Sequence, residues 1–215
     1  MLRVDCRELI AAVINQRLFT ETSIDSGALS MLGMVVHRFD QPGEYQGTVL
    51  RDGQAVAKLV LTVDECSTAT QVNIDLAALN AREVSEFSVS VEGYAVFHVS
   101  RGVGGYSVVL RRSEDGDTHE FDSRELNAED SFAATLLRPG IYRVTETYSG
   151  YRGEIVVAYP DPAALRCPLD PISIGFQCNG FVPDWVEVQP TQGIVYRIEE
   201  RARIQIDLVE PIDRQ

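Results

Sequence analysis

Apolar and polar residues alternate with period two through most of the chain, between turn signals at short spacing, and this pattern predicts strands. "KLVLTV" (58–63), "FSVSV" (87–91), "YAVFHV" (94–99), "YSVVL" (106–110), "GIYRVTET" (140–147), "GEIVVAY" (153–159), "WVEV" (185–188), "GIVYRI" (193–198) and "RIQIDL" (203–208) all carry it. Turns are marked by "RDG" (51–53), "EDGD" (114–117), "SGYRG" (149–153) and the Pro-Gly pairs. Residues 6–18 have helical spacing, and 74–83 and 123–130 are shorter helical candidates. The expected class is all-β, built as sandwiches with minor short helices.

Two stretches share one plan. "FDQPGEYQGTVLRDGQAVAKLVLTV" (39–63) and "LLRPGIYRVTETYSGYRGEIVVAYP" (136–160) each run from an apolar residue through Pro-Gly to a tyrosine. A strand, a glycine-bearing turn and a β-branched closing strand follow. Pro42-Gly43-Glu44-Tyr45 matches Pro139-Gly140-Ile141-Tyr142, and the Pro-Gly pairs suit type II turns with positive φ at glycine. On that ground Gly140→Val is expected to destabilise strongly. A second echo joins "VEGYAVFHV" (91–99) to "TQGIVYRI" (191–198). The middle therefore holds an opening and a closing half, the N-terminal stretch a closing half, and the C-terminal stretch an opening half. The expected organisation is a sandwich over 81–160 inserted into a discontinuous one built from 1–80 plus 172–215. The Pro-rich segment 161–171 is the linker.

Composition changes the picture in two ways. A net charge of −13 over 215 residues argues against a nucleic-acid partner, because a phosphate backbone would be repelled and no basic stripe offsets it. Lys58 is the only lysine. The start, "MLRVDCRELIAAVINQRLF", has Asp5 and Glu8 where a signal peptide is basic, and its apolar stretch is short; no run has the length of a membrane span. The expectation is a chain without an export signal, cytoplasmic by default. Cys6, Cys66, Cys167 and Cys178 form no CxxC and have no nearby histidine in sequence, so they are expected to be buried thiols or disulfides, with 167–178 able to close a loop.

The middle segment resembles the cupredoxin family, the plastocyanin-like copper sandwiches. "GYSVVL" (105–110) is similar to that family's Pro-His-Asn-Val-Val-Phe strand, "LNAEDSFAATLLRPGIY" (126–142) to the approach to its copper loop, and "YRGEIVV" (151–157) to its Met-x-Gly-x-Val-x-Val ending. The resemblance implies two cupredoxin-like Greek-key sandwiches. It also implies that the type 1 copper site is missing. Tyr106 stands for the first His, Glu146 for the Cys, Thr147 to Gly150 contain no second His, and Tyr151 stands for the axial Met. Glu146→Ala is accordingly expected to be nearly silent.

The remaining chemistry is sparse. His37, His98 and His119 are scattered, and His98 reads as a half-exposed structural histidine. The acidic turn "SEDGDTHEFD" (113–122) lacks the oxygen spacing of a calcium loop and reads as a solvated hairpin tip. "RGVGGY" (101–106) is a hairpin loop rather than a phosphate cradle, since no helix follows it. No nucleophile elbow, HExxH or paired Cys and His is present. Trp185, the sole tryptophan, is expected to fill the core of the end-built sandwich; the alternative is an exposed surface that stacks a sugar, with Tyr148 or Tyr151. The function expected is a non-catalytic structural, assembly or protein-interaction component with no cofactor, acting through a protein partner or self-association. A carbohydrate-binding module and a redox protein with atypical ligands are the alternatives, and an enzyme comes last.

Overall fold

The computed structural model describes Leu18 and residues 20–113, 119–159 and 169–212. The helix expected over 6–18 lies almost wholly outside the described residues. The fold is all-β, and the strands of the described residues form three sheets. The central sheet runs, edge to edge, β14 (Gly180–Val182), β13 (Ile172–Gln177), β16 (Gly193–Ile198), β10 (Ser131–Thr135), β2 (Gly33–Arg38), β7 (Tyr94–His98) and β5 (Gln71–Asp75). One flanking sheet contains β1 (Ser23–Asp25), β17 (Ile204–Pro211), β11 (Gly140–Glu146), β12 (Arg152–Val157) and β15 (Trp185–Val188). The other contains β6 (Val84–Ser90), β4 (Gln54–Asp64), β3 (Gly43–Arg51), β8 (Tyr106–Arg112) and β9 (His119–Asp122).

Both flanking sheets cover the same face of the central one. Phe121 of β9 stacks on Phe97 of β7 at 5.5 Å, and Tyr45 of β3 meets Phe39, just past β2, edge-on at 5.0 Å. On the other side Val144 and Ile155 line a small internal cavity together with Ile174, Phe181 and Tyr196 of the central sheet. The alternation dictates this layering. In β4 the side chains of Ala57, Leu59, Leu61 and Val63 are buried while Lys58 and Thr62 are exposed. Each fully buried large apolar side chain contributes roughly 1.5–3 kcal/mol, so this one continuous core is the main source of stability.

The strand pairings repeat. β3 pairs with β4 and β8 antiparallel, and β4 with β6 parallel; β11 pairs in the same way with β12 and β17, and β12 with β15. In the central sheet β7 lies between β2 and β5, and β16 between β10 and β13, with the same directions. Each Pro-Gly hairpin thus pairs with strands that follow it in the chain. The expected nesting has the opposite pairing, and its boundaries at 80 and 160 cut across the β4·β6 and β12·β15 ladders. The physical reason is connectivity: a short linker, 65–70, leads from β4 to β5 and keeps the following strands at hand. β2 and β10 pair antiparallel about Val35 and Phe132, which occupy matching positions in the two repeats, so the repeats are related by an approximate two-fold axis through the sheet.

One strand per repeat crosses over. β1 lies on β17 of the second repeat, and β9 on β8 of the first. Matching serines fix both crossings. Buried Ser26 accepts at Oγ from Ile204 N and donates its own N–H to Ile204 O, while Ser123 does the same with Val108.

The tyrosines of the shared plan have a clear role. Tyr45 donates its hydroxyl to Gln41 O at 2.7 Å and Tyr142 to Arg138 O at 2.9 Å, and both rings are buried. Each ties the turn before a strand to that strand. The turns are not type II as expected: Gly43 has φ 147°, and Gly140 is outside the positive-φ set. Nor are 74–83 and 123–130 helical. There the carboxylate of Asp75 accepts from Ala77 and Ser100, and that of Asp130 from Asn127, so side chains satisfy the backbone in turns instead.

Tyr196 of β16 sits where β7 has Phe97. It is fully buried, its hydroxyl has no hydrogen-bond partner among the described residues, and burial pushes its pKa far above the phenol range. Tyr196→Phe is expected to be neutral or stabilising by up to about 1 kcal/mol, because it removes an unsatisfied donor. Urea denaturation of the two proteins measures it.

Candidate interaction face

The positions matched to copper ligands are split: Glu146 and Tyr151 meet at the β11–β12 turn, where Glu146 N donates to Tyr151 O at 2.9 Å, and Tyr106 lies apart from them. Tyr106 is on β8 in one flanking sheet, with the Arg51 guanidinium 5.4 Å from its ring centroid. Glu146 ends β11 in the other flanking sheet, and the Tyr151 hydroxyl donates to Cys178 O at 3.0 Å. Among the described residues no group of three or more His, Cys, Asp or Glu side chains is placed to hold a metal ion.

Glu146 has a different task. Its carboxylate is fully buried and accepts from Tyr148 N (2.9 Å), Ser149 N (2.6 Å), Ser149 Oγ (2.6 Å) and Arg203 N (3.1 Å). Burial alone would raise its pKa. The hydrogen bonds of Ser149, Tyr148 and Arg203 outweigh burial and hold it below the ordinary carboxylate value. The residue closes the β11–β12 turn onto the strand from the far end of the chain. For stability, this geometry points to a cost on its loss rather than the silence expected from the sequence.

Trp185 is not a core residue: it is 52% exposed, because β15 is an edge strand and its outward positions face solvent. It borders an open groove of about 600 Å³ with Arg143, Arg152, Glu154 and Val209. Among the described residues neither Arg143 nor Arg152 has a side-chain hydrogen bond or ion pair. Tyr148 and Tyr151 do not join Trp185 there. Tyr148 lies under the Arg201 guanidinium at 4.6 Å, and Tyr151 packs edge-on against Phe176.

The most distinctive surface is the outer face of the central sheet. The chain has 32 acidic residues, yet the seven central strands carry one, Asp75, on the edge strand β5. Its carboxylate is engaged by Ser100 and Ala77, whose hydrogen bonds outweigh burial and lower its pKa. In the middle of the face Val36 lies beside Val96, and Ala133 between Val195 and Met34. Met34 and Tyr94 are exposed, and the other four are half-buried in the manner of a flat sheet surface. The cations are Arg197 and, at one end, Arg38, which reaches Glu92 at 3.4 Å. Among the described residues no third layer covers this face, since both flanking sheets pack on the opposite one.

Behind it His37 donates from Nδ1 to Asp130 Oδ1 at 2.7 Å, joining the repeats, and stacks on Phe121 at 4.5 Å. Spacing alone did not single out this pair. His98 is half-buried on the outer face. The tip at 114–118 and the His119 side chain lie outside the described residues, as do Cys6 and Cys167, and with Cys167 the loop disulfide. Cys66 and Cys178 are exposed free thiols, not buried ones. Among the described residues no helix is long and apolar enough to cross a membrane. Compared with protein-family models, curated proteins and solved structures, the chain matches none.

Proposed function

We propose that the chain is a non-catalytic structural or assembly component that works by presenting the outer face of its central sheet to a protein partner. In this reading each repeat is a Greek-key β-sandwich of cupredoxin-like character without type 1 copper. One observation carries the reading: a strongly acidic chain keeps its broadest sheet almost free of carboxylates and leaves valines, an alanine and a methionine on the solvent side. An exposed contiguous apolar patch of this kind marks an interaction site, whereas scattered apolar residues do not. A photo-activatable residue at Val96 tests it against one at Glu86, an exposed position on a flanking sheet. In extracts of the native cell, protein adducts at Val96 and not at Glu86 support the reading. Equal labelling, or none, removes it.

The Trp185 groove favours a second reading, a saccharide site, because an indole half exposed beside two unengaged guanidiniums offers a stacking surface and donors. If it holds, Trp185 fluorescence shifts or is quenched at millimolar glycan from a panel of acidic and neutral sugars, and Arg152→Ala weakens the response several-fold. A flat response across the panel removes it.

A further inference from the structure

We infer that the occupant of the central sheet's outer face is a second copy of this chain, packed face to face. The inference rests on the interaction-face reading and names the partner. Charge is the first argument. Two chains of −13 repel each other, and contact through either flanking sheet would bury Glu44 and Glu86, or Glu154 and Glu187, together with the cations Lys58 and Arg111, or Arg143 and Arg152. The middle of the central face carries no carboxylate; Asp75 lies at its β5 edge, and Glu92 and Glu129 flank Arg38 at one end.

Area is the second. Seven strands at about 4.8 Å spacing and five residues at about 3.3 Å give roughly 500 Å² per copy, so about 1,000 Å² in all. That is at the lower bound for a specific interface and fits a weak, reversible dimer. The approximate two-fold axis through the sheet is the third. It makes Val36 and Val96 the positional counterparts of Ala133 and Val195, while Met34 and Tyr94 correspond to Ser131 and Gly193. A surface with valines and an alanine at its centre can stack on its own copy, as the inner faces of paired sheets do.

Sedimentation velocity of the full chain from 10 µM to 1 mM, at 0.05 M and 0.5 M NaCl, tests this. The expected result is a monomer–dimer equilibrium of roughly 10–500 µM, tightened at least about three-fold by salt, because screening weakens repulsion between like-charged copies. Val36→Glu with Val195→Glu is expected to be monomeric throughout. Val36→Lys, which lowers the net negative charge, is expected to weaken the dimer too, which separates packing from overall repulsion. Circular dichroism establishes that the variants are folded. A chain that stays monomeric at 1 mM in high salt overturns the inference, as does a folded double variant that dimerises like the parent. If the purified chain is monomeric and Val96 still forms adducts with other proteins, the second-copy assignment falls and the interaction face stands. If both experiments are negative, both fall.

Discussion

Replacing Glu146 with alanine is expected to lower the free energy of unfolding by about 3 kcal/mol, read from urea or thermal denaturation. The carboxylate is buried, and four donors converge on it: the amides of Tyr148, Ser149 and Arg203 and the Ser149 hydroxyl. Alanine leaves those donors unsatisfied in a water-poor site, and charge-assisted bonds are the strongest of their kind. Glutamine keeps the shape and an acceptor, so Glu146→Gln is expected to lose about half as much. The same group sets a pH dependence. Its pKa is lowered in the folded chain, so its stabilisation is complete above the unfolded value of about 4.3 and is lost as pH falls below that toward the folded value. A melting temperature that drops as pH falls below about 4.3 in the parent, and less steeply in Glu146→Gln, is the expected signature.

Gly140→Val is expected to cost about 3–4 kcal/mol or to prevent folding, although not through backbone φ. A Cβ at Gly140 would lie 2.5 Å from Leu208 Cδ1, 2.7 Å from Glu210 O and 3.2 Å from Pro211 Cα. The leucine can move; the backbone of β17 cannot move without breaking its ladder with β11. Gly175→Ala is the control, since a Cβ there meets nothing closer than 3.7 Å, and it is expected to change stability by less than about 1 kcal/mol. Equal losses at the two positions, measured by the same denaturation, would show that steric approach to β17 is not the cause.

Strands with long alternation were legible in the chain: "KLVLTV", "GIYRVTET" and "RIQIDL" all lie in or against β4, β11 and β17. So was the repeated Pro-Gly hairpin. The choice of partner was not. A hairpin bears the same apolar face whether it pairs with strands before it or after it, and only the linker from β4 to β5 favours the latter. The crossing strands β1 and β9 are three and four residues long, too short for periodicity to register. Their signal was present elsewhere, in Asp25-Ser26 with Leu29 and Asp122-Ser123 with Leu126, whose serines lock the crossings and whose leucines are fully buried. The interaction face had a trace as well, because segments such as "GMVVHR", "SFAAT" and "GIVYRI" lack acids in a chain rich in them. That trace becomes a surface only when the sheet order sets the segments side by side.

The exchange of β1 and β9 bears on how the molecule comes apart. Each repeat supplies the other with an edge strand, and Arg203, just before the last strand, grips Asp25 of the first through two bonds of 2.9 and 2.7 Å. Releasing either repeat strips its neighbour of a border and opens its core to water. Heat or denaturant therefore meets a single cooperative body rather than two beads on a string, and a protease that nicks one repeat undermines both.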